Sequence, residues 1–295
     1  MTDPATLNRI RTGTGFIAAL DQSGGSTPGA LAAYGISADA FSNDEEMYEL
    51  IHAMRTRIIT SPSFNGDKVL GAILFERTMD GEADGKPVPQ ALLDRGVLPF
   101  LKVDKGLEEA VDGVKLMKPI PGLDGLLARG KAKGIVGTKM RSVIDLADPA
   151  GIAAIVAQQF EVANQIIDAG LMPIIEPEVS IGSPERPAAE KILLAELTKA
   201  LDAQGERREV MLKLTIPTVV GLYAPLADHP RVARVVALSG GFTRDEACVE
   251  LKKNRGMIAS FSRALLSDLR ADMSDNEFDA ALGTAIDQIC DASAS

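Results

Sequence analysis

Apolar residues in this chain gather in eight short runs that recur along its length. They are Phe16 to Leu20, Gly71 to Phe75, Leu98 to Val103, Ile135 to Met140, Met172 to Ile175, Val210 to Leu214, Val235 to Leu238 and Met257 to Ser262. Most are apolar at successive positions rather than alternate ones, the pattern of a strand covered on both faces. Between them lie helical segments with recognisable starts. Ser42-Asn43-Asp44-Glu45, Thr243-Arg244-Asp245-Glu246 and Ser274-Asp275-Asn276-Glu277 each read as a capping box. Asp148-Pro149 opens another helix, which Gly170 closes. Strands alternating with helices predict a parallel sheet, and eight of them predict a closed (β/α)8 TIM barrel. No linker or shift of composition divides the chain, so a single barrel domain over residues 1–295 is expected. The connection after the sixth run is short, so its helix must be brief.

One residue breaks the pattern. Lys213 stands inside the sixth run, between Val210-Met211-Leu212 and Leu214-Thr215-Ile216. An ammonium among Met, Leu and Ile loses hydration, and desolvation favours the neutral amine, a nucleophile toward carbonyls. The fifth run is followed at once by charge, in Glu176-Pro177-Glu178.

Composition narrows the chemistry. At 295 residues and 46% hydrophobic, the chain can bury one large core. No apolar stretch approaches a membrane span, and the first residues lack the basic-then-apolar order of a signal peptide, so a cytoplasmic location is expected. Cys248 and Cys290 are too few for a disulfide framework or a zinc site, and His52 and His229 too few for a histidine-based centre. Both histidines are expected at the surface. A net charge of −10 disfavours nucleic acid as partner, but leaves room for an anionic substrate if the cations gather locally.

A barrel gathers its chemistry at the carboxyl ends of the strands, and residues two apart share a face. Lys102 and Asp104 then end the third run together, Lys139 and Arg141 the fourth, and Glu176 and Glu178 the fifth. Asp21 follows the first run, Ser239-Gly240-Gly241 the seventh and Arg263 the eighth. The rim would be basic inside an acidic protein. Roles follow. Lys213 attacks a ketone to form an iminium, with Glu176 as adjacent acid and base and Lys139 depressing the amine by like charge. Asp21 takes the proton of the hydroxyl that becomes an aldehyde. The Ser239-Gly240-Gly241 turn and Arg263 suit one phosphate, and Lys102 with Arg141 a second. An iminium replaces a Lewis acid, so neither metal nor cofactor is expected.

Specific stretches then carry a family resemblance. They are Ala19-Leu20-Asp21-Gln22-Ser23-Gly24-Gly25-Ser26, Gly71-Ala72-Ile73-Leu74-Phe75, Pro89-Gln90, Lys102-Val103-Asp104-Lys105-Gly106 and Gly122-Leu123-Asp124-Gly125-Leu126. Further along come Lys139-Met140-Arg141, Pro173-Ile174-Ile175-Glu176-Pro177-Glu178, Leu212-Lys213, Leu238-Ser239-Gly240-Gly241 and Ser262-Arg263-Ala264-Leu265. In this order the chain resembles the class I, Schiff-base fructose-1,6-bisphosphate aldolases of the short bacterial kind. The resemblance implies a TIM barrel that interconverts fructose 1,6-bisphosphate with dihydroxyacetone phosphate and glyceraldehyde 3-phosphate. It implies Lys213 as the Schiff-base lysine and Glu176 as proton acceptor, assisted by Asp21, Lys139 and Glu178. It also implies substrate contacts from Lys102, Arg141, Ser239 and Arg263; Asp104, Ser23, Gly240 and Gly241 join the expected binding set.

The chain departs from the animal members at Gln22, where they carry an acid, and at Ala30, where they carry a phosphate-contacting arginine. It ends at Ser295 with no tyrosine after Tyr223, whereas they continue into a tail ending in tyrosine. The oligomer interface does not carry over. A tagatose-bisphosphate aldolase needs the same lysine and carboxylates, and a barrel used only for binding needs neither. A glycosidase needs two carboxyls straddling a bond about 5–10 Å apart, which same-strand glutamates and 4% aromatic residues fit poorly.

Overall fold

The computed structural model describes residues 2–294. Eight parallel strands follow one another around a barrel: β1 Phe16–Leu20, β2 Val69–Leu74, β3 Leu98–Lys102, β4 Gly137–Ile144, β5 Met172–Val179, β6 Val210–Thr215, β7 Val232–Leu238 and β8 Met257–Ala259. Each pairs with the next in chain order. The ring closes where Ala19 N donates to the Phe261 carbonyl at 3.0 Å, beside β8. The expected TIM barrel is therefore the observed architecture, and the helix between β6 and β7 is the short Ala224–Ala227.

Two apolar layers hold it. The inner one includes Ile17, Ala19, Ile73, Phe100, Ile174, Met211, Val236 and Ile258, packed inside the barrel. Ile10, on the helix Pro4–Thr12, joins this cluster and plugs the amino-terminal end. Arg234 fixes the plug by donating to the Ile10 and Gly13 carbonyls, both at 2.9 Å. The outer layer lies between strands and helices; Leu20, Leu74, Leu101, Ile175, Leu212 and Leu214 belong to it. Alternation thus sends Leu212 and Leu214 outward, and Met211 and Lys213 inward.

Several strands run further than the apolar pattern foretold. β4 extends to Ile144 and β5 to Val179, so Arg141, Glu176 and Glu178 lie within strands rather than just past them. The reason is pairing. Arg141 sits opposite Glu176, and Val143 opposite Glu178, in the β4–β5 register, so charges that neutralise each other need not end a strand. β2 and β7 start earlier, at Val69 and Val232, and β8 is shorter, ending at Ala259. The helix Asp44–Thr60 is capped by Asn43 rather than Ser42: the Asn43 side chain accepts from Glu46 N, while Glu46 Oε2 accepts from Ser42 N at 2.6 Å, so the expected box does not form. The boxes at Thr243 and Ser274 form as expected. His52 and His229 are half-buried, contrary to the surface placement expected of them. His52 Nε2 lies 3.1 Å from the Glu82 carbonyl, and His229 Nε2 3.1 Å from Asp202 Oδ1. Among the described residues no helix is long and apolar enough to cross a membrane.

Glycine makes room for the largest inner side chain. A Cβ on Gly71 would meet Phe100 Cε2 at 2.9 Å, and one on Gly137 would meet Phe100 Cδ1 at 2.8 Å and the Met172 carbonyl at 2.3 Å. Phe100 thus fills the barrel below the charged residues only because its flanking strands lack side chains there. Gly137→Ala should lower stability by about 1–3 kcal/mol through overpacking. It should do so as a lower urea midpoint with an unchanged slope; an unshifted midpoint would show that the backbone yields freely.

Candidate active site

Above the apolar floor, the inward positions of four neighbouring strands become charged. Lys102 follows Phe100, Lys139 follows Gly137, Glu176 follows Ile174 and Lys213 follows Met211, each two residues on. Asp21 enters from the end of β1. Lys213 Nζ lies 3.0 Å from Glu176 Oε1, Lys139 Nζ 3.0 Å from Glu176 Oε2, and Lys139 Nζ 2.7 Å from Asp21 Oδ2. Lysine, glutamate, lysine and aspartate thus form one continuous chain across the barrel, and every member is at least nine-tenths buried.

Burial alone would raise both carboxyl pKa values, but the ammoniums outweigh it. Asp21 is held far below the usual carboxylate range by Lys139, Lys213 and Lys102. Glu176 is lowered as well, by Lys139 and Lys213. Burial acts downward on Lys139, yet Asp21 and Glu176 drive it well above the ordinary lysine value. Lys139 is therefore a fixed cation at neutral pH. Lys213 is buried as its sequence setting suggested, but it is not uncompensated: Glu176 stands against it and lies between it and Lys139.

A second group stands at the next level. Lys102 Nζ donates to Asp104 Oδ1 at 2.6 Å, Arg141 N donates to Asp104 Oδ2 at 3.2 Å, and Arg141 Nε donates to Glu178 Oε2 at 2.5 Å. Both cations are thus tied to carboxylates. A cavity of about 1020 Å³ opens over all of these. Asp21, Lys102, Asp104, Lys139, Arg141, Glu176 and Lys213 line its floor; Ser23, Ala30, Ser262, Arg263 and Arg270 line its outer wall. Glu178 and the Ser239-Gly240-Gly241 turn stand beside the cavity rather than in its lining. Ile181 packs over that turn: a Cβ on Gly240 would meet its Cγ2 at 2.6 Å. The turn's φ angles, +63° at Gly240 and +132° at Gly241, favour glycine there. Among the described residues Arg263 and Arg270 have no carboxylate within ion-pair distance, so the cavity's free positive charge lies on its outer wall.

Comparison with known proteins places the chain in a family. The family model for class-I fructose-bisphosphate aldolase matches residues 6–220. The chain belongs to that family. The matched span contains Asp21, Lys102, Asp104, Lys139, Arg141, Glu176, Glu178 and Lys213, and ends before Ser239 and Arg263. Among solved structures, the chain is similar to the fructose-bisphosphate aldolase of Plasmodium falciparum, solved with TRAP and a small-molecule inhibitor. That match has a TM-score of 0.81 and 21% identity, over 98% of this chain and 93% of that one. A protein of Corynebacterium glutamicum matches with a TM-score of 0.57 and 14% identity, over 99% and 92%. At these identities the likeness is one of fold.

Two supporting residues of this aldolase-family barrel escaped the reading of the sequence. Gln159, fully buried on the helix Pro149–Asp168, accepts from Glu176 N at 3.0 Å and donates to Ser142 Oγ at 3.0 Å. It satisfies a backbone donor where β5 leaves the β6 ladder, whose pairing stops at Ile175. Arg55, 1% exposed on the helix Asp44–Thr60, reaches Gln22 and Thr78. Each stands in an otherwise apolar helical stripe, beside Ile155, Val156 and Phe160 or Met54, Ile58 and Ile59. A polar residue on a buried stripe was the available signal.

The charge chain has a testable pH signature. The lowered carboxyls contribute stability above their unfolded values near 4, lost as pH falls through their folded ones. Raised Lys139 contributes below its unfolded value near 10.5, lost as pH rises through its folded one. The wild-type cluster is thus fully stabilising between about pH 5 and 10. Lys139→Met leaves Asp21 with no ion-pair partner and should cost about 3–5 kcal/mol at pH 7. That variant should gain thermal stability between pH 7 and pH 5, where the parent stays level. A variant profile parallel to the parent's would refute this assignment of charge.

Proposed function

We propose that the protein is a metal-independent fructose-bisphosphate aldolase that reversibly cleaves fructose 1,6-bisphosphate into dihydroxyacetone phosphate and glyceraldehyde 3-phosphate. The observation that supports this most is Lys213 buried on the floor of the cavity of about 1020 Å³, with Glu176 at 3.0 Å and a second lysine behind it. Cytoplasmic carbohydrate metabolism is the setting this reading implies.

The steps follow from the geometry. Lys213 passes a proton to Glu176 Oε1, and its amine adds to the ketone carbon to give a carbinolamine. Glu176 returns that proton to the departing hydroxyl, so water leaves and an iminium remains. The iminium carries the same single positive charge as the original ammonium. Glu176 therefore pairs with it as it paired with the lysine, and the buried ring keeps its balance. That field favours the protonated imine, the form that accepts the electron pair when the neighbouring carbon–carbon bond breaks. Asp21 takes the proton from the hydroxyl that becomes the aldehyde, and Lys139, a fixed cation, stabilises both carboxylates. Protonation of the enamine carbon and hydrolysis then release dihydroxyacetone phosphate. Ser23 and Arg263 on the wall, with Ser239, Gly240 and Gly241 behind them, suit one phosphate; Lys102 and Arg141, steered by Asp104 and Glu178, suit the other.

Borohydride reduction with dihydroxyacetone phosphate should place a three-carbon adduct on Lys213, and EDTA should leave turnover intact. An adduct on another lysine, or activity lost to EDTA and restored by zinc, would refute the mechanism. Fructose and tagatose bisphosphates run side by side in the same assay fix the sugar preference. Glu176→Gln keeps shape but removes the base, so kcat should fall by about 10²–10⁴-fold with substrate binding changed far less. Near-normal turnover would transfer the proton to Glu178 or Asp21.

Arg141→Ala should lower kcat/KM strongly for fructose 1,6-bisphosphate and hardly at all for fructose 1-phosphate, which lacks the far phosphate. Arg263→Ala should lower both by about 10- to 150-fold, the worth of a charge-assisted hydrogen bond. Equal losses on both sugars in Arg141→Ala would remove it from the far-phosphate role.

A further inference from the structure

Arg55 is a buried cation that the proposed steps do not use. Its Nη1 donates to Thr78 Oγ1 at 2.8 Å, and its Nη2 donates to the Gln22 carbonyl and to Gln22 Oε1, the latter at 3.3 Å. No carboxylate among the described residues lies within ion-pair distance of it. Burial lowers its pKa to about 10, which leaves it charged at neutral pH. A guanidinium has only donors, so the Gln22 atom facing it must be the amide oxygen. The other end of the amide agrees: Gln22 Nε2 lies 3.5 Å from the Ala19 carbonyl, which can only accept. With the amide so fixed, Nε2 donates to Ser262 Oγ at 2.6 Å. Ser262 Oγ is thereby the acceptor in that bond, and its own proton has no acceptor among the described residues. Ser262 lines the cavity beside Arg263.

We infer that Arg55, acting through Gln22, holds the Ser262 hydroxyl as a hydrogen-bond donor to an oxyanion bound in the cavity next to Arg263. Ser262 is then a binding residue, and Arg55 and Gln22 are positioning residues. A carboxylate at position 22 would reverse the arrangement, because it can only accept and would draw the hydroxyl proton inward. The inference rests on the aldolase reading for the identity of the oxyanion, a substrate phosphate, but its hydrogen-bond logic does not depend on the chemistry at Lys213.

The test is titration of the full chain with inorganic phosphate by calorimetry. Ser262→Ala should bind phosphate about tenfold more weakly, since a hydrogen bond to a charged group is lost. Ser262→Thr, which keeps the hydroxyl, should stay within about twofold of the parent. Gln22→Met should weaken phosphate several-fold in the parent and have no further effect in Ser262→Ala, because both act through one hydroxyl. Arg55→Lys keeps a donor toward Gln22 and should lose less than Arg55→Met, with both losses absent in the Ser262→Ala background. Phosphate binding that is undetectable in the parent, unchanged in Ser262→Ala, or reduced multiplicatively in the Gln22–Ser262 double variant would overturn the inference. Borohydride trapping at Lys213, run on the same proteins, separates the two ideas. Hydroxyl-dependent phosphate binding without any Lys213 adduct would leave this inference standing and remove the aldolase reading.

Discussion

Two ammoniums and two carboxylates enclosed in an apolar barrel constrain everything around them. Removing any one leaves an uncompensated charge far from water, and replacing all four by hydrophobic residues would stabilise the fold as well or better. Stability alone does not account for such a cluster. The barrel meets its geometric demands: inward positions of β4, β5 and β6 lie on neighbouring parallel strands, and Lys139 and Lys213 both reach Glu176, which stands between them, at 3.0 Å. Phe100 and the glycines beside it close the space beneath. The ring closure between Ala19 and Phe261 sets Asp21 at the other end of the chain of charges.

The architecture was largely legible in the sequence, because fully buried strands must be apolar and eight such runs alternate with helices. Strand ends were less legible. An apolar run ends in the sequence where charge begins, but in β4 and β5 the charges face the barrel interior and satisfy one another, so the strands continue through them. The site was legible where a residue contradicted its surroundings: Lys213 in an apolar strand and Glu176 beside prolines. Gln159 and Arg55 were not found, although they contradict their surroundings in the same way. A helix with one polar residue on its buried stripe looks tolerable in isolation; only the fold shows that its partners are a strand amide that left its ladder and a glutamine at the cavity wall.

The outer wall of the cavity was only partly legible, for a physical reason. Arg263 lines the cavity as the sequence suggested, yet Ser239, Gly240 and Gly241 lie beside it under Ile181. Position relative to a strand end gives the rim a residue belongs to, but not which loop from a neighbouring strand will cover it. Arg270 is the converse case, a cavity-lining cation far from any strand end, brought in by the segment between the short helix Arg263–Leu266 and the helix Asp275–Ala292.

Charge balance also separates the two levels of the site by task. On the floor every cation among the described residues already has a carboxylate, so the proposed exchange of one positive nitrogen for another, ammonium for iminium, would move no net charge into the barrel. On the outer wall Arg263 and Arg270 have no carboxylate within ion-pair distance among the described residues; Arg270 Nη1 donates to the Ser267 and Leu269 carbonyls, both at 2.8 Å, which leaves its charge uncompensated. An acidic chain thus carries its free positive charge on the outer wall of the cavity, where desolvating an anion costs less than on the buried floor.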